Sequence, residues 1–536
     1  MSIKKMRSLY KFLYSFLAFI VLVTCLIYTA SANVNAIISP PFNVPKNWKN
    51  TNMLRTIDLT SSIVRETTAV VAQNIHNESI GEYYYPIPKE WDEHLSFIEV
   101  KERTTEQFFE VEKAEFNSLK WVASSKLSNQ FENTFVMHIS NDTNEIICGK
   151  PKNFKWPLSH TSSTNNYCSK IQYYKISFNR RLDPEDKIKF IVTTAFTHVL
   201  TPYPKEIAQT GRQNILFRGN QYGNSAYHTA QQKTIVKLPS AVIISYSQPT
   251  GYITSNRNTL EYGLFDGKEP NSYEELKIHY EFQQSILTVK GLRRDLEISH
   301  WGGNLAIEEH FNLTQEGARL KDQFSRLEYH KNIYTRQNSV MTRELSLSLP
   351  AHASNVYYRD EIGNVSTSHL RYEQDKTVLE FKPRYPLFGG WNYTWYYGYN
   401  VPIGDFVKYH SESGRYILNI PFINVLPRVT YDKVQVRIIL PEGASNIKVE
   451  TPFPVDKESH GVHKTYLDTI GRYLIVLDKF NVLNDHSKNF QISYTYNSFE
   501  LLRKPLAVSV CLLGAFLLSM VYSRMEFGIG KSEKKS

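Results

Sequence analysis

The chain has 536 residues, of which 41% are hydrophobic and 21% are charged, and its formal net charge at pH 7 is +10. This composition is typical of a folded globular protein and excludes a disordered or fibrous chain. The length predicts two or three domains. A basic chain often binds a nucleic acid or a membrane surface, so the position of the excess charge decides what it means.

The first 32 residues have the pattern of a cleaved secretory signal peptide. Four basic residues and no acid surround the start of an apolar run at 12–28, and small residues follow at 30–32. That order is typical of a signal that is removed from the mature protein. The alternative is an uncleaved N-terminal membrane anchor, which the small residues before Asn33 disfavour.

A second apolar segment, residues 506–522, contains no charge and is flanked by basic residues. As a helix it would span about 26 Å, close to the hydrocarbon core of about 27 Å in the endoplasmic reticulum membrane. A buried core helix is the alternative, which the flanking charges disfavour. We expect a transmembrane helix at 506–522 and a short basic tail at 523–536. The tail is expected in the cytosol because the signal directs the bulk of the chain across the membrane.

Most of the net charge belongs to these targeting and membrane segments. Four of the 62 basic residues lie in the signal and six beside or beyond the span, while two of the 52 acids lie in the tail. Residues 33–502 therefore retain 52 basic and 50 acidic residues. A nearly neutral lumenal region removes the main support for binding to nucleic acid, and no nucleic-acid partner is predicted.

Two cysteines, Cys148 and Cys168, lie in the predicted lumenal region, whereas Cys25 belongs to the signal and Cys511 to the span. In an oxidising compartment we expect a Cys148–Cys168 disulfide that closes a polar loop and contributes about 3 kcal/mol. A metal or redox pair is the alternative. It is disfavoured because the sequence has no C-x-x-C motif and offers His160 as a lone neighbouring histidine.

Five Asn-X-Ser/Thr sequons occur in the predicted lumenal region. The candidate glycosylation sites are Asn77, Asn141, Asn312, Asn364 and Asn392. In a secreted chain such sites are expected on exposed loops. Asn392 is the weakest candidate because aromatic residues surround it.

The region between the signal and the span is mainly β by its periodicity. Apolar residues alternate along four runs, at 188–196, 345–349, 434–440 and 490–496. Strands of this kind have one face in a core and one toward water, as in antiparallel sandwiches. One helix is expected at 316–330, where apolar residues recur at three- and four-residue spacing. It is interpreted as a packing helix in preference to a partner-binding helix.

A strand-like run that ends in Leu-Pro occurs three times, at 234–239, 343–350 and 436–441. Proline ends such a run because it cannot donate to a sheet ladder. The repetition indicates related sandwich units. We therefore expect two tandem lumenal β-sandwich-like domains, at residues 40–285 and 290–498.

The sequence has no familiar catalytic motif: H-E-x-x-H, G-x-S-x-G, the Walker loop and G-x-G-x-x-G are all absent. The run at 308–310, Glu-Glu-His, lies in an alternating segment, so its neighbours face opposite sides of a strand. The run at 299–301, Ser-His-Trp, has no acid in a defined triad arrangement. No catalytic residue, cofactor or metal site is predicted.

Residues 385–399 combine clustered aromatic side chains with the glycine pair Gly389 and Gly390. Paired glycines permit positive φ or a close backbone approach, and aromatic side chains supply large apolar area. A hairpin that fills the core is favoured. The alternative is a contact patch for a partner protein, a glycan or the membrane interface.

Several short motifs together resemble the ribophorin I family, the first or alpha subunit of the oligosaccharyltransferase complex. The motifs are RTID at 55–58, LRRD at 292–295, SHW at 299–301, FSRLE at 324–328, STSH at 366–369, PLFGGW at 386–391, LPEGA at 440–444 and YLDT at 466–469. The resemblance covers nearly the whole chain in the same order. The short segment after Tyr522 is similar to the fungal form, because animal members carry a long cytosolic extension.

The resemblance implies a function that periodicity does not show. The complex transfers a preassembled oligosaccharide from dolichyl diphosphate to sequon asparagines of nascent polypeptides in the endoplasmic reticulum lumen. In this family the catalytic acids and the metal belong to a different, multi-spanning subunit. Family members have two tandem lumenal β-sandwich domains that are similar to the noncatalytic N-terminal domain of zinc aminopeptidases.

The resemblance thus implies a noncatalytic, type I single-pass subunit in the endoplasmic reticulum membrane. Its implied partners are the catalytic and small membrane subunits, the nascent acceptor polypeptide and the lipid bilayer. Two other classes stay open on the residues alone. One is a lumenal hydrolase with an unfamiliar site, and the other is a single-span adhesion or cargo receptor that is exported to the cell surface.

Overall fold

The computed structural model describes residues 44–114, 171–248, 253–335, 340–465 and 468–525. Most of these residues lie in β-strands, and an apolar helix follows the strands near the C-terminal end. The predicted mainly β fold with one C-terminal apolar helix is therefore confirmed. The predicted signal at 1–32, the sequon Asn141, the pair Cys148 and Cys168, and all but the first three residues of the tail lie outside the described residues.

The strands form two sets, which we call the first and second strand sets and together the β body. The first set is β1 Trp48–Asp58, β2 Val64–Asn74, β3 Ile80–Pro88, β4 Leu95–Glu102, β5 Phe108–Lys113, β6 Ile171–Leu182, β7 Lys187–Phe196, β8 Thr201–Pro202, β9 Glu206–Ile207, β10 Asn214–Asn220, β11 Thr229–Lys237, β12 Ile243–Tyr246, β13 Ile253–Asn256, β14 Thr259–Lys268 and β15 Glu275–Glu281.

The second set is β16 Leu287–Ser299, β17 Asn304–Gln315, β18 Arg319–Leu320, β19 Leu345–Pro350, β20 Ser354–Asp360, β21 Gly363–Asn364, β22 Ser368–Tyr372, β23 Lys376–Phe381, β24 Asn392–Pro402, β25 Val407–His410, β26 Arg415–Pro421, β27 Val429–Ile439, β28 Ser445–Glu450, β29 Lys457–His463, β30 Arg472–Val482 and β31 Asn489–Thr495. The helices are α1 Lys89–Asp92, α2 Arg326–Thr335, α3 Ile403–Phe406 and α4 Arg503–Arg524, with 3-10 turns at Asn484–His486 and Ser498–Leu502.

Strands of the two sets pair in the same order. The large sheet of the first set contains the run β13-β14-β11-β1-β2-β7, and that of the second contains β29-β30-β27-β16-β17-β24. In both runs one neighbouring pair is parallel, β1 with β11 and β16 with β27, and the other pairs are antiparallel. The smaller sheets also match, as β8-β10-β15-β12 and β25-β26-β31-β28. The second strand set therefore repeats the first in pairing and chain order.

The repeat extends to single residues. Leu238-Pro239 follows β11 and Leu440-Pro441 follows β27, so two of the three predicted Leu-Pro runs occupy equivalent places. The third run ends β19, which belongs to a separate three-stranded sheet. Strands β3 to β6 and β18 to β23 are insertions at the same point along the chain in the two sets. The first insertion lies between β2 and β7, and the second lies between β17 and β24.

A buried arginine lies at the same register in each set. Arg55 pairs across to Thr234 and Arg294 to Val436, each four residues before the Leu-Pro step. Both arginines are almost fully buried, and each forms an ion pair with a glutamate of the neighbouring strand. The Arg55 Nη2–Glu66 Oε1 distance is 2.5 Å, and the Arg294 Nη1–Glu309 Oε1 distance is 3.1 Å. The first two strands of each set are thus tied by a buried charge pair.

The four alternating runs found in the sequence all lie in strands, which are β7, β19, β27 and β31. Alternate side chains in them are buried, as the period-two pattern predicts. Along β7, for example, Ile188, Phe190 and Val192 are buried while Lys187 and Lys189 are exposed. The core therefore lies between sheets whose outer faces are polar.

The aromatic segment fills part of the core, as the favoured interpretation expects, but it does so as strand β24 and not as a hairpin, because β24 pairs with β17 and β20. Trp395, Tyr397 and Tyr399 project to the buried face of β24 and stack in a row. Phe311 of β17 stacks on Trp395 with ring centroids 4.3 Å apart. Offset aromatic stacking of this kind adds about 0.5–1.5 kcal/mol per pair to the gain from burial.

The predicted helix at 316–330 is wrong over its first ten residues, because α2 begins at Arg326. Residues Gly317 and Ala318 are buried, and their N–H groups donate to the side chains of Gln315 and Gln213 at 2.7 and 2.8 Å. Arg319 and Leu320 instead form β18 beside β9, and the N–H of Lys321, which a helix would pair with the carbonyl of Gly317, donates to Ile207 O at 2.8 Å. Of the apolar residues in this segment, Ala318 is buried and Phe324 packs against Phe388 and Trp391, whereas Leu327 is 81% exposed.

Gly389 shows how closely this segment packs. A methyl group at its Cα would lie 1.9 Å from the carbonyl oxygen of Ala318, which belongs to the main chain and cannot rotate away. Gly291, in contrast, has no atom within 4 Å of the same point.

We expect Gly389→Ala to lower the thermal midpoint of the full chain in detergent, because relieving the overlap costs about 1–3 kcal/mol. Gly291→Ala is the matched control and is expected to leave the midpoint nearly unchanged. Differential scanning fluorimetry compares the two. Equal midpoints for both variants would contradict the close packing of Gly389 against Ala318.

Candidate functional site

Helix α4 has the length and composition of a membrane span. It contains 22 residues, and an 18-residue window within it has a mean hydropathy of 2.1 with no residue buried. It is the one helix in the described part of the chain that is long and apolar enough to cross a membrane. The predicted segment 506–522 lies wholly within it. The side chains of α4 are therefore available to lipid or to other helices.

Glu442 connects the β body to the start of this helix. Its Oε1 atom accepts N–H bonds from Thr469 and Ile470 at 2.8 and 2.7 Å. The same atom lies 3.9 Å from Nη1 of Arg503, the first residue of α4. Burial raises the pKa of Glu442, but the hydrogen bonds it accepts outweigh this effect and lower its pKa overall. Glu442 therefore stays ionised and holds a loop of the β body beside the helix.

Asp468 makes the second connection. Its side chain is fully buried, and Oδ1 lies 2.8 Å from Nζ of Lys504. Burial raises the pKa of Asp468, but hydrogen bonds from Lys504 and Thr465 oppose this and lower its pKa to about 2. Glu500 adds a third carboxylate, 2.8 Å from Nη2 of Arg503. We call Glu442, Asp468, Glu500, Arg503 and Lys504 the junction cluster.

Three carboxylates thus surround the first turn of α4. Acidic groups are favourable at a helix N-terminus because of the helix dipole, and here they also neutralise two cations. Since Glu442 and Asp468 are hydrogen-bonded within the β body and also pair with Arg503 and Lys504, the helix leaves the β body at a fixed place. The junction cluster therefore sets the direction in which the span begins.

A second charged cluster links the two strand sets. His198 of the first set lies between two carboxylates of the second, with Nδ1 2.9 Å from Glu316 and Nε2 2.6 Å from Asp432. Lys290 forms ion pairs with both carboxylates, at 2.9 Å from Asp432. We call these four residues the seam cluster. Within it His198 and Asp432 are 234 residues apart in the chain.

The seam cluster is ionised at neutral pH. Hydrogen bonds to Asp432 and Glu316 raise the pKa of His198 to about 9. Burial raises the pKa of Glu316, but bonds from His198 and Lys290 outweigh it and lower its pKa to about 2. Two cations and two carboxylates balance, so the cluster satisfies its own charges and leaves no empty ligand position for a metal.

An open cleft of about 480 Å³ lies next to the seam cluster. Its walls carry hydroxyl, amide and charged groups with two aliphatic side chains. The lining residues are Ser62, His198, Leu200, Ile286, Thr288, Thr314, Gln315, Glu316, Gly317, Arg319, Gly390, Asn392 and Thr430. The described residues contain no group of three or more His, Cys, Asp or Glu side chains that could hold a metal ion.

All four sequons within the described ranges have an exposed asparagine, namely Asn77, Asn312, Asn364 and Asn392. The expectation that they lie on loops is wrong for Asn312, which is inside β17, and for Asn364 and Asn392, which are in β21 and β24. Strand alternation explains the exposure, because the buried neighbours Phe311 and Leu313 turn Asn312 outward. Glycan occupancy stays a prediction at all five sequons.

The two polar runs considered in the sequence have structural partners. Glu309 is buried against Arg294 and accepts a bond from Tyr397 Oη at 2.6 Å, while His310 bonds to Glu308 at 2.7 Å on the other face. His300 Nε2 lies 2.8 Å from Tyr494 Oη. Each group is held by its neighbours, as expected for polar residues of core or surface.

The sequence did not single out the seam or junction residues. His198, Lys290 and Asp432 lie outside every quoted motif, and long-range pairing alone brings them together. Glu442 and Asp468 do lie in the motifs at 440–444 and 466–469, so an available signal existed. The motifs did not indicate that each of these carboxylates pairs with a basic residue of α4.

The described residues define a β-sheet protein joined to one candidate membrane helix by paired charges. A family model for ribophorin I matches residues 48–523. The chain belongs to the ribophorin I family, which confirms the resemblance carried by its motifs. Whether it is a fungal form stays a prediction.

Three similar proteins are each named as a form of subunit 1 of the same enzyme. The chain is 37% identical over 361 residues to dolichyl-diphosphooligosaccharide–protein glycosyltransferase subunit 1B of Oryza sativa subsp. japonica, covering 67% of this chain and 75% of that protein. Identity to subunit 1A of Arabidopsis thaliana is 30%, over 89% of this chain and 70% of that one. Identity to subunit 1 of Caenorhabditis elegans is 30%, over 91% and 74%. These relatives give no support to the adhesion or cargo receptor alternative.

Among solved structures, a two-domain M1 zinc metallopeptidase bound to L-arginine aligns over 38% of this chain and 42% of that chain. The sequence identity is 11% and the TM-score is 0.23, which is too low to compare the folds.

The seam cluster makes stability depend on pH. The folded pKa of His198 is about 9, above the unfolded value of about 6.5, so its contribution is full below pH 6.5 and is lost as pH rises toward 9. We expect His198→Gln to lower the free energy of unfolding by up to about 3 kcal/mol at pH 6 and to lower the thermal midpoint most at that pH. The difference shrinks by pH 9.5. His369→Gln, at an exposed position, is the control. A midpoint difference that does not change with pH would contradict this charge pairing.

The junction cluster predicts a local effect. Asp468→Asn removes the charge that faces Lys504 and leaves a half-buried cation without its closest partner, which costs about 1–3 kcal/mol. We expect faster amide hydrogen exchange at 468–471 and 498–502 in the full chain, measured by mass spectrometry. Asp375→Asn, at an exposed position, should leave this exchange unchanged. Equal protection in both variants would show that Asp468 does not hold the helix.

Proposed function

We propose that the chain is a noncatalytic subunit of a dolichyl-diphosphooligosaccharide–protein glycosyltransferase. It supports transfer of a lipid-linked oligosaccharide to Asn-X-Ser/Thr of nascent polypeptides. The observation that carries the proposal is the similarity to proteins named subunit 1 of this enzyme, over as much as 91% of the chain. The match of the ribophorin I model from residue 48 to residue 523 spans both strand sets and α4.

The proposal assigns the chemistry to another subunit. In the seam and junction clusters every carboxylate is paired with a cation of the chain itself. Four of these carboxylates, Glu316, Asp432, Glu442 and Asp468, have a lowered pKa, and pairing of this kind suits holding strands and helix together better than binding a metal or transferring a proton. The contribution of this chain is therefore assembly and acceptor handling.

We further propose that α4 crosses the endoplasmic reticulum membrane once, with the β body in the lumen and the C-terminal tail in the cytosol. No side chain of α4 is buried, which leaves it surface for the spans of the catalytic subunit and a small membrane subunit, and for lipid. The polar cleft beside the seam cluster is a surface on which an extended acceptor segment could lie near the catalytic subunit. The signal at 1–32 supports this orientation.

The two strand sets are proposed to be the two tandem domains. Their matching strand order and the equivalent buried arginines support an internal duplication. The predicted second domain begins at residue 290, inside β16, and a start at Leu287 keeps that strand whole. Strands β9 and β18 pair across the boundary, so the domains are joined by a short sheet as well as by charges. The Cys148–Cys168 disulfide remains part of the proposal.

Affinity capture tests the assignment. The tagged full chain is solubilised in mild detergent, captured and analysed by mass spectrometry, and we expect the catalytic oligosaccharyltransferase subunit to be recovered in comparable amount. Depletion of the chain should reduce glycosylation of acceptor proteins. Unchanged assembly and unchanged glycosylation of all acceptors after depletion would overturn the proposal, and so would turnover of peptides or glycans by the chain alone.

Glycan mapping tests the orientation. Lumenal exposure predicts that glycosidase treatment increases the electrophoretic mobility of the chain, and that Asn77→Gln removes one step of this shift because Asn77 is exposed in the turn between β2 and β3. Asn47→Gln, which disrupts no sequon, is the control. A chain that carries no glycan at any of its five sequons would count against a lumenal β body.

A further inference from the structure

Four large apolar side chains are exposed around the junction cluster, and we call them the junction patch. They are Val462, Ile470, Phe499 and Leu502, with exposed fractions of 63, 61, 79 and 61%. Single exposed apolar residues are common on protein surfaces, but a group next to a membrane span has a specific neighbour.

The contacts of the junction cluster place these side chains around the first turn of α4. Phe499 and Leu502 belong to the 3-10 turn that runs directly into the helix. The N–H of Ile470 donates to Glu442, whose Oε1 lies 3.9 Å from Arg503. Val462 lies beside Gly471, the residue after Ile470, because a methyl group added at Gly471 would lie 2.6 Å from Val462 Cγ1.

The length of the span fixes the level of this turn relative to the bilayer. The expected span 506–522 covers about 26 Å as a helix, close to a thin hydrocarbon core of about 27 Å. Arg503 and Lys504 must then lie at the headgroups. Lys504 bonds to Asp468 at 2.8 Å, and Ile470 is two residues further along that loop. The junction patch is thus at headgroup depth.

The chemistry of the surroundings suits a lipid surface. The acids of the junction cluster are paired with cations, while apolar side chains and Lys464 lie around them, with Lys464 Cγ next to Gly471. Aromatic and aliphatic groups beside basic residues are typical of protein segments at the membrane interface.

We propose that the junction patch inserts into the headgroup region of the membrane and gives the β body a lipid contact of its own beside the span. This proposal rests on the membrane crossing of α4 that forms part of the proposed function. With the helix and the patch both in the membrane, the β body contacts the bilayer at two places, and this second contact holds its tilt together with the paired charges of the junction cluster.

Lipid quenching of a fluorophore tests the proposal in the full chain, purified with its bound partners and reconstituted into phosphatidylcholine nanodiscs that contain doxyl-labelled lipid. The fluorophore is attached to the new cysteine in Ile470→Cys and Phe499→Cys, both made in a Cys511→Ser chain. The Cys511→Ser chain without a new cysteine measures labelling at other positions. Ile362→Cys, 80% exposed on the β body, is the negative control. Native Cys511, exposed in α4, is the positive control for the span.

We expect quenching by lipid at positions 470 and 499 to exceed that at position 362 by at least about twofold, with weak quenching by aqueous iodide. Strong quenching at Cys511 with none at 470 and 499 overturns the patch and leaves the span intact. Shielding of 470 and 499 from both lipid and iodide also overturns it, since a partner protein would then cover the patch. No quenching at Cys511 overturns the span and the patch together.

Discussion

The architecture depends on one costly requirement, a buried arginine that must meet a buried glutamate on the neighbouring strand. Removing one partner of such a pair costs about 3–5 kcal/mol because an uncompensated charge remains in the core. A one-residue slip of the strand would send Arg55 or Arg294 to the opposite face of the sheet. The ion pairs therefore fix the register of β1 with β2 and of β16 with β17. Every further strand of the two large sheets adds to these central pairs.

Charge pairing also joins the parts that the sheets leave separate. The seam cluster places a histidine of the first strand set between two carboxylates of the second, and the junction cluster places two cations of α4 among three carboxylates. Both clusters are partly buried, so water weakens them less than it weakens exposed pairs. These paired charges fix the geometry between the sheets and between sheet and helix.

Local patterns predicted what local physics determines. Period-two alternation located β7, β19, β27 and β31, and an uncharged run located α4, because burial and bilayer length act directly on neighbouring residues. The helix expected at 316–330 failed because Arg319 and Leu320 pair as β18 with β9, and the N–H of Lys321 donates to the carbonyl of Ile207, more than 100 residues earlier. The seam cluster could not be predicted from local sequence either, because its residues come together only through long-range contacts. The equivalence of Arg55 and Arg294 required strand registers, which no single stretch of sequence contains.

The parallel pairing of β1 with β11 has a consequence for synthesis. β1 and β2 emerge together and can pair at once, whereas β11 is made about 180 residues after β1. At about 5–20 residues per second, the outer edge of β1 stays open for roughly ten to forty seconds on the ribosome. A shorter delay recurs for β16, because β27 is made about 140 residues after it. Two waiting edges, exposed one after the other, make the nascent chain a client for chaperones at two separate times.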